Sequence, residues 1–133
     1  MDLNQFFTGH DQGAVMQVNH PATNEPMTTA DGRPVTITLL SSDHPRVRHE
    51  HQAQLVAFSE RKEKVTPEEA ERASIEVLAA ATTGWENVGL DSDDTPFSKE
   101  AAIAAYSKLN WLRLQVDNFV AGRANFFKAS SST

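Results

Sequence analysis

The stretch "VTPEEAERASIEVLAAATTG" (Val65–Gly84) carries the strongest helix signal in the chain, and it decides how the neighbouring segments are interpreted. Thr66 is the expected N-cap, Pro67 suits the first helical position, and Glu69, three residues after the cap, completes a capping box. Gly84 predicts the end of this helix, because glycine is the usual residue just past a helix C-terminus. The stretch therefore predicts one well-capped helix in the middle of the chain.

A second helix is predicted on the N-terminal side, in "SSDHPRVRHEHQAQLVAFSE" (Ser41–Glu60). Ser41, Ser42 or Asp43 can act as its cap, and Pro45 is tolerated in its first turn. Apolar and histidine side chains then follow at spacings of four, four and three, which is one stripe of an amphipathic helix. This stripe consists of Val47, His51, Leu55 and Phe58.

Two further helices are predicted on the C-terminal side. Ser98 can cap a helix that covers Lys99 to about Lys108, and another helix begins at about Asn110. The side chains along one side of this last helix are Leu112, Val116, Phe119, Val120, Arg123 and Phe127.

The first third of the chain has the pattern of extended structure. Segments 14–18 and 34–40 are the strand candidates, and apolar residues in the second alternate with threonines, as in a half-buried strand. Asp31-Gly32 predicts a turn between them, because glycine tolerates the positive φ of tight turns. A loop or a short third strand is expected around Met27.

These elements predict an α+β fold that is mainly α-helical, with a small N-terminal antiparallel β element followed by about four helices. We expect one domain over residues 1–133, with a β-rich part (1–42), a helical part (43–127) and a frayed tail (128–133). The expected core consists of Val35, Ile37, Leu39, Leu55, Phe58, Ile75, Leu78, Leu112, Val116 and Phe119.

Composition and charge exclude several classes of protein. The 133 residues include no cysteine, so disulfides, thiol nucleophiles and cysteine-based zinc sites are excluded. The net charge of −6 disfavours nucleic acid as a partner, and the basic residues of segment 46–64 are interleaved with glutamates, as on a solvated helix face. The sequence contains neither a secretory signal pattern nor an apolar run of the roughly 20 residues that cross a membrane. The absence of cysteine fits a reducing cytoplasm.

Neither a catalytic nor a metal site is predicted. The acidic turn at Asp91–Asp94 lacks the glycine and the terminal glutamate of a calcium loop. His49 and His51 point about 200° apart on a regular helix, so with His44 they do not form a ligand set. Phosphate-binding loops, nucleophile elbows and dinucleotide fingerprints are absent. The sequence predicts no enzyme activity, no cofactor and no metal.

The aromatic residues of the C-terminal half are the remaining candidates for function. Most such residues at helical spacing belong to a core, but the last helix is apolar on more than one side. Adjacent Phe126 and Phe127 cannot both point into a single core. We therefore expect a protein–protein surface among these side chains. The predicted partner-binding residues are Trp85, Phe97, Trp111, Leu114, Phe126 and Phe127.

The pattern "GWENVGLDSDDTPFSKEAAIAAYSKLNWLRLQVDNFVAGRANFF" (Gly84–Phe127) resembles tail assembly chaperones of long-tailed phages. Members have a tryptophan after the central helix, an acidic turn, a "PFS" helix start, an "L-R-x-Q-V" segment and an "N-F" ending. Here these elements are Trp85, Asp91–Asp94, Pro96–Ser98, Leu112–Val116 and Asn125-Phe126. "HPATNEPM" and "SSDHPRVR" also match the N-terminal portion of the family, although Asp43-His44-Pro45 stands where members often have Asp-Ser.

The resemblance implies a protein that binds the tape measure protein, keeps it soluble and helps recruit tail tube subunits during tail morphogenesis. It implies action in the bacterial cytoplasm, from a phage or prophage, and absence from the mature virion. Self-association would cover the same apolar surface before the client arrives, so a homo-oligomer is expected. The alternative is a small structural phage protein, such as a head–tail joining or tail completion subunit.

Overall fold

In the computed structural model, which describes residues 13–90 and 94–126, a three-stranded antiparallel sheet and four α-helices share one cluster of buried side chains. The predicted α+β, mainly helical fold is confirmed. None of the helices in this part of the chain is long and apolar enough to cross a membrane. The elements are β1 (Ala14–Gln17), β2 (Thr36–Leu39), α1 (Pro45–Ser59), α2 (Pro67–Ala81), β3 (Thr82–Glu86), α3 (Lys99–Lys108), α4 (Asn110–Ala121) and a 3₁₀ turn (Arg123–Phe126).

The start of α2 is the predicted capping box. The Thr66 hydroxyl accepts a hydrogen bond from the Glu69 N–H at 3.1 Å, and the Glu69 carboxylate accepts one from the Thr66 N–H at 3.0 Å. The predicted end at Gly84 is wrong, because the helix ends at Ala81 and the chain passes directly into β3. Gly84 lies inside this strand, opposite Thr38.

The third strand of the sheet therefore comes from the part of the chain that was predicted to be helical. The strand order is β1-β2-β3, and Ile37 of the central strand lies between Met16 on one side and Trp85 on the other. A loop or a short third strand was predicted around Met27, and the structure has a loop there. Its β-type pairing is limited to isolated bridges at Asn19–Pro26 and Thr28–Pro34. Gly32 has φ 87°, as the predicted turn requires.

Helix α1 differs from its prediction at the cap and on its apolar face. The cap is His44, whose Nδ1 accepts from the Arg46 N–H at 3.1 Å, and not Ser41, Ser42 or Asp43. Val47 is the buried residue of this helix, Phe58 is half-buried, and Leu55 is 55% exposed. The prediction that Leu55 belongs to the core is wrong, because none of the elements in residues 13–90 and 94–126 covers this side chain.

The rest of the predicted core is mostly confirmed. Val35 and Phe119 are half-buried and pack against the buried cluster. Helix α3 has the predicted bounds, and the Ser98 hydroxyl caps it by accepting from the Ala101 N–H at 3.0 Å. Helix α4 begins at the predicted Asn110 but ends at Ala121, so Arg123, which was predicted to lie along its side, belongs to the 3₁₀ turn that follows. The predicted core residues that are buried are Ile37, Leu39, Ile75, Leu78, Leu112 and Val116.

The passage from α2 into β3 is held by buried polar groups. The Thr82 hydroxyl donates to the Leu78 carbonyl at 2.8 Å, and it therefore accepts from the Tyr106 hydroxyl, also at 2.8 Å. The Leu40 N–H donates to the Ala81 carbonyl at 2.7 Å. These bonds join α2, α3 and the end of β2 at one point inside the core.

Stability is predicted to fall in alkaline solution because of Tyr106. Burial raises the pKa of this phenol to about 12. The neutral form is therefore favoured in the folded state, and the stabilisation is complete below pH 10 and is lost as the pH rises through 12. We expect this group to lower the free energy of unfolding by roughly 1 kcal/mol per pH unit between pH 10 and 12.

Urea unfolding at several pH values measures this slope, and Tyr106→Phe is the control. The variant is less stable at neutral pH by about 1–2 kcal/mol, because Thr82 loses its donor. Its stability should also fall less steeply above pH 10 than that of the parent protein. Since Tyr106 is the one tyrosine of the sequence, tyrosinate absorbance follows the same group directly. Titration near pH 10 in the folded protein would contradict the prediction.

Candidate functional site

An open apolar cleft of about 580 Å³ lies between α1, α2 and the end of α4, and we call it the groove. Its apolar lining comes mainly from side chains that face each other across α1 and α2, with two residues from α4. Polar side chains lie around its edge. The apolar residues that line the groove are Val47, Leu55, Phe58, Ala70, Ala73, Val77, Leu78, Val120 and Ala121.

The groove exists because small side chains of α2 face a thin apolar stripe on α1. Ala70, Ala73 and Ser74 line the α2 side and fill little of the space between the helices. On α1 the corresponding stripe contains His51 between Val47 and Leu55. Because the groove is open, water contacts its apolar lining, and covering this lining with apolar side chains is favourable. The groove can therefore accept apolar side chains from another molecule.

Polar contacts hold α1 in place although few of its side chains are buried. Arg61, just after the helix, forms an ion pair with Glu69 in the first turn of α2. Midway along the helix, the Gln54 amide donates to the Glu76 carboxylate at 3.1 Å. The Arg61 guanidinium lowers the pKa of Glu69 to about 2, with help from the Thr66 N–H. These contacts attach α1 to α2 at two points.

A second ion pair fixes the end of the groove at which α1 begins. The Arg123 guanidinium donates to the Asp43 carboxylate at 2.8 Å, and this hydrogen bond lowers the pKa of Asp43. The Ser42 N–H donates to the Val120 carbonyl at 3.1 Å. The chain before α1 is thereby attached to the end of α4, so the three walls of the groove form one connected frame.

Helix α1 carries two of the four exposed large apolar side chains in the described part of the chain. Leu55 is 55% exposed and Val56 is 56% exposed. They are adjacent in sequence, but only Leu55 lines the groove. The polar edge carries Arg48 and His51 on α1 and Asp117 on α4. An apolar floor with a polar edge is the chemistry of a surface that binds an amphipathic helix.

The predicted partner-binding residues that the structure describes do not line the groove. Trp85 and Phe97 are half-buried and pack edge to face, with ring centroids 5.3 Å apart. The Trp85 indole N–H also donates to the Thr95 carbonyl at 2.8 Å. This pair closes the connection between β3 and α3 over the core. Its predicted role in binding remains a prediction.

The other predicted residues divide into exposed and buried positions. Leu114 is 48% exposed, whereas Trp111 is half-buried and packs against the core. Phe126 is 0% exposed and packs edge to face on Phe119 at 5.4 Å, so its side chain is not part of the surface. Phe127 lies outside the described residues, as does the tail 128–133 that was predicted to be frayed.

The histidines and the acidic turn do not assemble a site in the described part of the chain. His44 caps α1, His49 and His51 are exposed, and the His20 ring accepts from the Ala22 N–H at 3.0 Å in a turn. Groups of three or more potential metal ligands are absent among residues 13–90 and 94–126. Residues 91–93 of the acidic turn, and His10, lie outside these ranges.

Sequence reasoning missed the groove because it assigned Leu55 and Phe58 to the core. The stripe on α1 contains one histidine among four positions, and exposed Val56 lies next to it. On α2, by contrast, alanines and larger aliphatic residues give a continuous buried face. The weak stripe on α1 was the available signal that this helix is only partly covered.

Comparison with known proteins gives no relative whose structure or function could be compared with the groove. No protein-family model, no curated protein and no solved structure matches this chain. The functional interpretation depends on the geometry above and on the sequence resemblance.

The groove should bind an environment-sensitive apolar dye, and Leu55→Asp should weaken this binding. A carboxylate at this position places charge on the apolar wall and removes about 1 kcal/mol of contact, which is roughly fivefold in affinity. Fluorescence titration measures the effect.

Val56→Asp is the matched control, since the same change is made one residue along the same helix at equal exposure. Both variants should unfold at similar urea concentrations. Equal loss of dye binding in the two variants would show that the dye binds elsewhere.

Proposed function

We propose that this protein is a tail assembly chaperone of a long-tailed phage or prophage, and that the groove binds the tape measure protein. It keeps this client soluble and helps recruit tail tube subunits in the bacterial cytoplasm, and it is not a component of the mature virion. The observation that carries the proposal is the unfilled apolar groove with exposed Leu55 on its wall. The sequence resemblance in segment 84–127 supplies the identity of the client.

The groove has the form that a helical client requires. Helix α1 has 15 residues, so it is about 22 Å long at 1.5 Å per residue, and a client helix lying beside it would engage about four turns. An amphipathic client presents apolar side chains every three or four residues, which matches a groove between helices. Covering each large aliphatic side chain is worth about 1.5–3 kcal/mol.

A groove of this size supports release as well as binding. A single helix in it buries less area than a standard stable protein–protein interface. Several copies along a long client add their contacts through multivalency, whereas each single copy can be displaced. This behaviour suits a protein that covers the client during assembly and is then replaced by tube subunits.

The acidic charge supports the same role. With a net charge of −6, copies of the chain bound along one client repel each other and neighbouring complexes, which opposes aggregation. The residues of the Arg61–Glu69 and Arg123–Asp43 ion pairs do not line the groove, so their charges do not compete with the client for the binding surface.

Co-expression with the tape measure protein from the same phage genome tests the proposal. We expect the client to stay soluble and to co-elute with the tagged chain on size exclusion. Leu55→Asp should reduce the soluble client at least severalfold, and Val56→Asp should leave it nearly unchanged. Light scattering on the chain alone measures whether it forms the expected homo-oligomer.

Two results would contradict the proposal. If the client precipitates equally in the presence and absence of the parent chain, the chain has no chaperone activity toward it. Detection of the chain in purified tails would instead assign it to the structural subunits, such as head–tail joining or tail completion proteins.

A further inference from the structure

Strand β1 lies at one edge of the sheet, and alternate residues along it direct their backbone groups away from the neighbouring strand β2. Val18 continues the register of the two strands, and its N–H donates to the Val35 carbonyl at 3.0 Å. Hydrogen-bonded pairs recur at every second residue of an antiparallel ladder, so Met16 also bonds to β2. The N–H and C=O groups of Val15 and Gln17 therefore point away from β2.

A side chain of α4 closes this edge at one end. The row of outward-facing backbone groups continues to Asn19, where the Gln115 side chain accepts from the N–H at 3.0 Å and donates to the carbonyl at 2.7 Å. Among residues 13–90 and 94–126, no such partner bonds to the outward-facing backbone groups of Val15 or Gln17. Backbone groups in this position are a template for another strand. The edge of β1 can therefore accept a strand beside Val15 and Gln17.

The residues of β1 lack the common features that keep an edge strand from pairing with another chain. Monomeric proteins block such edges with charged side chains, proline or a β-bulge. Residues 13–19, "GAVMQVN", contain neither a charged residue nor proline, and β1 pairs with β2 without a register shift. Val15 is 63% exposed, the largest value among the exposed large apolar side chains of the described residues. Strand β3, at the other edge, carries Glu86 and pairs with a register shift beside Thr38.

A second copy of the chain is the occupant that fits this edge. The net charge of −6 opposes association of copies in general, whereas the uncharged segment 13–19 lets two copies approach. In an antiparallel pair related by a twofold axis, Val15 of one copy can lie opposite Val15 of the other, with Gln17 opposite Gly13. This register brings both exposed valines into a cross-strand contact. It also covers two exposed edges at once, whereas a strand from another protein would cover one.

We propose that two copies of this chain associate through β1, antiparallel and with Val15 opposite Val15, so that their sheets form one continuous six-stranded sheet. Because β1 has four residues, the contact is smaller than a standard stable interface, and the dimer forms reversibly. None of the residues that line the groove belongs to β1, so this pairing does not use the groove. Each dimer carries two grooves, and a client that engages both gains affinity through multivalency. This consequence for the client rests on the proposed function, whereas the dimer itself does not.

Disulfide formation tests the register. The sequence has no cysteine, so Val15→Cys introduces a single thiol per chain. Residues that face each other in a hydrogen-bonded antiparallel pair have Cα atoms about 5.5 Å apart, a distance that a disulfide spans. We expect mild oxidation to convert most of this variant into a covalent dimer on a non-reducing gel. Val56→Cys is the matched control, since Val56 is 56% exposed on α1, and it should remain mainly monomeric.

Sedimentation velocity and backbone hydrogen exchange over a range of concentrations measure the association without a cross-link. The parent chain should shift from monomer to dimer as its concentration rises, and exchange of the Val15 and Gln17 amides should slow in parallel. Val15→Lys places like charges opposite each other and should weaken the dimer at least severalfold. Val56→Lys should leave the dimer unchanged, and both variants should unfold at urea concentrations close to that of the parent chain.

Several results would overturn the proposal. They are a parent chain that stays monomeric up to millimolar concentration, equal cross-linking of the two cysteine variants, and a dimer that Val15→Lys leaves intact. Exchange protection at Val15 and Gln17 that does not change with concentration would also overturn it, because pairing within one chain would then cover the edge. No client is present in these measurements, so their outcome is independent of the co-expression result.

Discussion

The direct passage from helix to strand at Ala81 and Thr82 is the constraint on which the rest of the structure depends. No loop separates α2 from β3, so the direction of the helix fixes the position of the third strand. The Thr82 hydroxyl is bonded to Leu78 and Tyr106 inside the core, and Ala81 accepts from the end of β2. The sheet and the helices therefore meet at one buried junction. Because its polar groups are hydrogen-bonded only in this arrangement, they favour one relative position of helix and strand.

The groove is a consequence of this arrangement. Alanines on α2 let the sheet, α3 and α4 approach the helix closely, and Ala79 and Ala81 are almost fully buried. The same small side chains continue towards the start of the helix, where Ala70 and Ser74 line the groove. The small side chains that allow close packing on the core side of α2 thus leave the groove unfilled on the side that faces α1. Of the aromatic rings that were expected on the surface, Phe126 is instead buried and packs against Phe119.

The sequence predicted local features well and long-range ones poorly. Thr66, Pro67, Glu69 and Ser98 act through bonds to residues within the same turn, so their pattern alone identifies the helix starts. The partner of β2 across the sheet was not predictable, because "TTGWE" is a strand only when Ile37 and Thr38 lie beside it. The candidate site was missed for a similar reason. Whether Leu55 is covered depends on the positions of α2 and α4, which no local pattern encodes.

One pair of hydrogen bonds affects the order in which the chain can fold during synthesis. The Gln115 side chain accepts from the Asn19 N–H at 3.0 Å and donates to the Asn19 carbonyl at 2.7 Å, so it acts as a strand partner for a segment 96 residues earlier. The first strand and the loop after it leave the ribosome seconds before α4 does, at about 5–20 residues per second. Until then the backbone of Asn19 lacks these two hydrogen bonds, and the core lacks Leu112, Val116 and Val120 of α4. The N-terminal third must therefore wait for the last helix, and its folding is completed after translation of that helix.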